Sequence, residues 1–337
     1  MNSINRPELV KRHNTDVLRR ALFRARQATR QQLSALTDIS TVTLGPLLRE
    51  LEEAGEVYQA ETEQSAGGRP AHVYCYNAGS QNGLLLYVQP KAQVPMLHIR
   101  YINRYGEPVE ESARPAPCLD AAGTARFLRE LLERNRPVGA VGLGLPGVGY
   151  HDYLYDHGES HFFSLTALEQ LEAETGIPIL MENDINLAVL GYAGSHELPR
   201  EETAVYLYLM KGCHGGSGIY LNGRLHHGLG RFAGELPAGV FGVEWSKAET
   251  EQPETVCVNL LKVVLPCLSL LSPHRIIVAS DYIREAHLQC VRAQILTSLG
   301  IRQCPALLLA EDFSRDYAEG VRRMVLQKIT VFEEEVS

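Results

Sequence analysis

Several things the chain lacks narrow its class. Its seven cysteines, at 75, 118, 213, 257, 267, 290 and 304, include no Cys-x-x-Cys pair and make an odd total. That spacing offers neither the thiolate pairs of a structural zinc site nor the framework of a small disulfide-stapled domain, and buried free thiols are expected. Long apolar runs are missing too. The longest candidate, VNLLKVVLPCLSLLS, is interrupted by Lys262 and Pro266 short of membrane-spanning length, and the first residues carry no apolar stretch of the signal-peptide kind. The expectation is a cytoplasmic protein with no membrane contact. Acidic residues are scarce in the first thirty positions, where only Glu8 and Asp16 oppose Arg6, Lys11, Arg12, Arg19, Arg20, Arg24, Arg26 and Arg30, although the whole chain has a net charge of −8. A basic end on an acidic protein suits contact with phosphates; the basic outer face of a solvated helix has the same composition.

What is present begins with helical periodicity. Val17, Leu18, Ala21 and Leu22 recur at helical spacing in NTDVLRRALFRARQ, and Arg30 to Leu36 makes a second, short helix. After a tight link at Thr37, Asp38 and Ile39, Ser40 is placed to cap a third helix carrying Leu44, Leu47, Leu48 and Leu51 on one face, with Gly55 at its end. EVYQAE and AHVYCYN then alternate as two strands around the tip SAGGRP. Helix, turn, helix and a two-stranded wing make a winged helix-turn-helix over 1–79. In such a module the third helix enters the major groove, so Thr41 and Thr43 are the reading positions, Arg30 is a further DNA contact, and Gly68 and Arg69 on the wing face backbone or minor groove. Two features pull the other way. Pro46 lies beyond the first turn of the reading helix, where proline removes a hydrogen bond and presses on the carbonyl four residues back, and Glu50, Glu52 and Glu53 suit a module used for protein contact.

From residue 80 the pattern changes to alternating strands and helices. GLLLYVQP and MLHIRYINRYGEPVEE read as strands turning at Tyr105-Gly106, TARFLRELLERN as a helix, VGAVGLGLPGV and IPILMEND as buried strands, TAVYLYLMKG and GSGIYLNGRLHHG as a pair turning at Asn222-Gly223, and VCVNLLKVVLPCLSLLS with RIIVAS as a final helix and strand. This is an α/β domain of two similar lobes over 80–337, dividing near 186. Within PILMENDINLAVLGYAG, Glu182, Asn183, Asp184 and Asn186 crowd the point where a strand gives way to a helix. Such junctions favour small-molecule sites; an Asn or Asp there caps a helix equally well.

The winged helix ending in GGRPA, then GLGLPGV, MENDINLAVLGYAG, GSGIYLNGRLHHG with AGEL, and LSPHRIIVAS resemble, in this order, the ROK (repressor, open reading frame, kinase) family. The resemblance covers nearly the whole chain and points to the family's regulators of the NagC/XylR type. It implies a winged helix before a two-lobed actin-like domain of the ribonuclease H-like, sugar kinase type. It also implies a sugar pocket floored by Asn183 and Asp184, with Glu235 and Gly147 as further ligand contacts and Asp184 in the place of the kinase's base. The kinase machinery departs from the family pattern at three places. The opening hairpin reads YVQPKAQVP, with Gln89 near the acid's place. The second glycine cradle reads Gly212-Cys213-His214-Gly215-Gly216-Ser217-Gly218, and Ala279, Ser280 and Asp281 stand where glycines follow the last strand. The zinc segment departs as well, with Ala238 at the histidine position and no cysteine cluster. Glu244 and Trp245 could stand in as a carboxylate and a stacking ring, although Trp245 is rather expected in a core or an interface, while His214, His226 and His227 are expected to be solvated or core.

The resemblance therefore implies a non-enzymatic, DNA-binding transcriptional regulator with a degenerate effector domain, needing no cofactor and no metal. Its partners would be a double-stranded DNA operator, a sugar or sugar phosphate effector, and a second copy of itself. A sugar kinase with an appended winged helix and a ligand-free interaction protein are the alternatives.

Overall fold

A computed structural model describes residues 6–60, 72–89, 94–134, 137–146, 162–212, 215–245, 247, 252–299 and 304–330. The amino-terminal module comprises α1 (Arg6–Ala25), β1 (Gln27–Thr29), α2 (Arg30–Thr37), α3 (Thr41–Glu53), β2 (Val57–Ala60) and β3 (Val73–Tyr76). Leu18, Leu22, Leu33, Leu44, Leu48, Leu51, Val57 and Tyr74 form its core. The helices stand where periodicity put them, α1 starting earlier than expected. Local signals explain the α2–α3 turn. Thr29 and Gln32 close a capping box on α2, Asp38 takes the left-handed conformation after it, and the Ser40 hydroxyl accepts from Thr43 N at the head of α3. Strand β1 was not expected; it pairs with β3 and completes a three-stranded sheet in the order β1-β3-β2. Three residues are too short for periodicity to register, and only the partner strand makes them β.

The first lobe follows with β4 (Asn82–Gln89), β5 (Met96–Ile102), β6 (Pro108–Pro115), α4 (Ala121–Glu133), β7 (Val138–Leu145), α5 (Leu165–Thr175) and β8 (Ile179–Asn183). After α6 (Asp184–Ser195) the second lobe holds β9 (Ala204–Tyr208), β10 (Gly216–Leu221), β11 (Arg224–Leu225), α7 (Ala238–Phe241), α8 (Pro253–Leu271), β12 (Arg275–Ala279), α9 (Glu285–Leu299) and β13 (Ala306–Leu309), and α10 (Phe313–Ile329) closes the series. The two sheets repeat one plan. In β6-β5-β4-β7-β8 and in β11-β10-β9-β12-β13, an antiparallel meander is extended by two parallel strands. The two-lobed α/β architecture is as expected. Helix α5 and everything after β12 are additions to the sequence reading.

Two corrections concern the second lobe. Helix α8 runs unbroken through Lys262 and Pro266. The Lys262 ammonium reaches Gly242 O and Asn259 Oδ1, and burying Val256, Leu260, Val263 and Val264 against β9 and β12 outweighs the ~3 kcal/mol cost of an interior proline. By length and composition α8 is long and apolar enough to cross a membrane. Cys257 on α8 and Cys290 on α9, expected to be free thiols, form a disulfide with a Cα–Cα distance of 6.3 Å. Their separation of 33 residues matches no local motif, so only the packing of α8 on α9 could reveal the pair.

Candidate functional site

The site is built at the junction of β8 and α6, between the lobes. Asn183 is the N-cap of α6, its Oδ1 accepting from Ile185 N at 2.8 Å and Asn186 N at 3.4 Å. The capping reading is therefore fulfilled, with the carboxylates of Glu182 and Asp184 flanking the cap in the chain. Asp184 is buried, its Oδ1 accepting from Ile185 N at 3.0 Å. Burial pushes its pKa up from 3.8 to about 7, against the hydrogen bonds from the Ile185 backbone and the Asn183 side chain that favour the charged form. Beneath it lies Tyr317 on α10, fully buried, its ring edge-on to Tyr87 of β4 at 5.5 Å.

Glu182 was not singled out as a site residue, yet it is the most heavily engaged carboxylate of the group. At 5% exposure it accepts from Arg231 Nη2 and Asn186 Nδ2 and meets His227 Nε2, at 2.5, 2.9 and 2.7 Å. Glu182 belongs to the first lobe and His227 and Arg231 to the second, so the cluster ties the lobes together. His227, expected to be solvated or core, is half-buried and hydrogen-bonded to Glu182 instead. Burial alone would raise the Glu182 pKa; the hydrogen bonds from His227, Arg231 and Asn186 outweigh it and bring it from 4.5 down to about 2. The cluster therefore contributes about 3 kcal/mol of stability at neutral pH, fully present above pH 4.5 and lost as the pH falls through about 2. Urea unfolding between pH 2 and 6 should show this acid limb in the native chain and a flatter one in Glu182→Gln.

Glu235 is exposed and forms a bridge opposite Gly216 on β10. A Cβ on Gly216 would meet Ile185 Cδ1 at 2.5 Å, which puts the start of β10 against the start of α6. Gly147, Cys213 and His214 lie outside the described residues. Where the resemblance implies phosphate cradles, the described residues offer protein contacts. Lys211 N donates to Asp281 Oδ1 at 3.0 Å, so a carboxylate occupies the amide that opens the second glycine turn. Trp245 is core: it is buried, and a Cβ on Gly215 would lie 2.7 Å from its ring. Among the described residues no group of three or more His, Cys, Asp or Glu comes together as a metal cage.

On the amino-terminal module, Thr41 and Thr43 are exposed on the first turn of α3. The Thr43 hydroxyl meets Ser40 Oγ at 2.9 Å, so it is engaged within its own turn. Arg30 donates to Tyr74 OH at 2.9 Å, and its guanidinium lies 3.7 Å from where a Cβ of Gly45 would stand, alongside the reading helix. Gly68 and Arg69 lie outside the described residues.

A three-stranded winged helix joined to two lobes of one sheet plan, with a polar cluster at the β8–α6 junction, defines a two-lobed actin-like protein carrying a helix-turn-helix. Residues 113–259 match the model of the ROK family. A xylose repressor from Caldicellulosiruptor bescii is 26% identical over 243 residues, which are 68% of this chain and 58% of that protein. This chain thus spans less than two thirds of the length of that relative. The fold of a solved ROK family transcriptional regulator, a homologue of the E. coli MLC protein, covers 95% of this chain and 98% of its own, with a TM-score of 0.53 at 15% identity. A ROK hexokinase from Thermus thermophilus covers 74% of this chain and 99% of its own, with a TM-score of 0.54 at 16% identity.

Proposed function

We propose that this protein is a DNA-binding transcriptional repressor of carbohydrate-related genes, whose two-lobed domain senses a sugar or sugar phosphate and does not phosphorylate it. The observation that carries this reading is a helix-turn-helix joined to a cleft that keeps Asn183 and Asp184 while Asp281 takes the Lys211 amide at the glycine turn. In such a cleft Asp184, Asn183 and Glu235 would receive hydroxyls of a polyol, which carboxylates and amides suit as acceptors. Gly147 would join them, and Arg30, Thr41, Thr43, Gly68 and Arg69 would face DNA. We take 1–79 as the DNA-binding unit and 80–337 as the sensor, in a cytoplasmic homodimer whose two winged helices meet two half-sites.

The signal would pass as a population shift between two lobe arrangements. Helix α10 touches both ends of the route. Its Tyr317 lies under Asp184, and its Arg322 and Leu326 face the β5–β6 turn, where a Cβ on Gly106 would meet Arg322 Nη1 at 2.1 Å. That turn is docked on the winged helix. Arg104 donates to Tyr76 OH at 2.5 Å, Arg26 pairs with Glu107 at 3.0 Å, and the Tyr105 ring packs on Phe23 at 4.9 Å. Titration of full-length protein with its own upstream DNA at two salt concentrations, against a scrambled competitor, tests the reading. Sequence-specific retention that weakens with salt and is released by one sugar of a panel is the expected result. In Tyr105→Ala, DNA binding should persist while release by the sugar is blunted. ATP-dependent turnover of a sugar, or binding without sequence preference, would overturn the proposal.

A further inference from the structure

The outward face of α3 carries apolar side chains with an arginine on the same stripe. Its buried stripe is Leu44, Leu47, Leu48 and Leu51. The opposite stripe, at i, i+4 and i+7, is Val42, Pro46 and Arg49, all exposed, with Val42 at 83% the most open large apolar side chain of the module. Some of the polar groups nearby are committed within the module, while Thr41 and Glu53 stand exposed. Ser40 and Thr43 bond to each other, and Glu50, the acid that suited a protein contact, is paired with Lys11 at 2.6 Å. Beside the exposed Thr41, the face offers a partner the Val42 isopropyl group and the Pro46 ring, with Arg49 on the same stripe and Arg30 beside Gly45.

An exposed β-branched side chain at the head of a helix lacks a reason in the free module, where its χ1 stiffness also lowers helix propensity. In a major groove it has one. Thymine alone among the four bases presents a methyl group there, and that methyl is read by apolar contact. The guanidinium groups of Arg49 and Arg30 near this stripe suit the phosphate walls of the same groove. We infer that Val42 is a specificity-determining residue that packs on a thymine 5-methyl in each half-site, with Pro46 extending the apolar surface, so that the module reads A·T pairs by shape and methyl contact. This inference rests on the DNA-binding reading above. It also gives Pro46 a place on the contact face of an unbroken helix.

The test begins by selecting bound duplexes from a randomised pool with full-length protein. Each thymine of the selected half-site is then replaced by deoxyuridine, which removes only the methyl. At one position per half-site the native protein should lose about fourfold in affinity, the worth of one buried methyl. In Val42→Ser the same replacement should be neutral, and Val42→Ala should fall between, while the salt dependence stays unchanged because phosphate contacts are untouched. Selective binding in which no deoxyuridine position matters, or in which the penalty survives undiminished in Val42→Ser, would overturn the inference and leave the regulator reading intact. A pool that yields no preferred sequence would overturn both.

Discussion

Replacing Gly320 with alanine is expected to destabilise the protein by about 3 kcal/mol or more, the upper end of what overpacking costs. A Cβ at Gly320 on α10 would lie 1.8 Å from the Leu187 carbonyl oxygen on α6, and one at Gly191 on α6 would lie 1.9 Å from Asp316 O. Each helix thus presents a glycine to the other's backbone. A flexible side chain could swing away from an added methyl; a peptide carbonyl held in a helix cannot. Relief requires the helices to separate, which would open the core where Leu187, Tyr192, Tyr206, Tyr317, Val321 and Val325 meet. Chemical denaturation of Gly320→Ala against the native chain measures the loss. An unchanged midpoint would mean that the two helices can part without cost. If the two-lobed domain binds an effector, a folded variant should respond to it more weakly than the native protein does, because α10 also reaches the β5–β6 turn.

The second large effect concerns Asp184. Its folded pKa of about 7 stands above the ordinary 3.8, because burial disfavours the charged form. Between those two values the folded chain holds a proton that the unfolded chain has released, so stability falls as the pH rises across the window and levels off above about 7. The accumulated cost is about 4 kcal/mol. Asp184→Asn keeps an oxygen for Ile185 N and carries no charge. It should match the native protein near pH 4 and exceed it by a margin that grows to about 4 kcal/mol at pH 8. Unfolding curves for both proteins at pH 4, 5.5, 7 and 8.5 check this, and parallel pH profiles would refute it. If the cleft binds a polyol, the more stable variant should bind it less well. A buried carboxyl that costs stability where an amide would not is what a site retained for ligand contact looks like.

Much of the fold was legible because its signals are local. The i, i+3, i+4 leucines of α3, the Ser40 cap, Gly55 after the helix and the Asn222-Gly223 turn each act within a few residues, and each stands where the pattern put it. Asn183 and Asp184 were legible as a pair because a strand-to-helix junction concentrates polar groups. The elements that went unread have weak patterns of their own. β1 and β13 have three and four residues, and α9 distributes its apolar residues with little one-sidedness. Glu182, His227 and Arg231 show a different limit. The spacing of 45 and 49 residues between Glu182 and its partners carries no periodic signal. The surest hint was a glutamate in an otherwise apolar strand, which needs a partner if it is buried.

The sequence by itself determined the helix-turn-helix, the alternating strands and helices and the polar junction at 182–186, because periodicity, capping and turn chemistry depend on neighbours in the chain. Only the tertiary structure decided which distant groups meet. It closed the Cys257–Cys290 disulfide, shared Glu182 between the lobes, set Asp281 on the Lys211 amide, brought α10 back between the lobes against α6 and buried Asp184 deeply enough to move its pKa. Those properties arise from charges and backbones packed together in a low-dielectric interior. Their energies depend on distance and burial, which a linear order of residues does not contain.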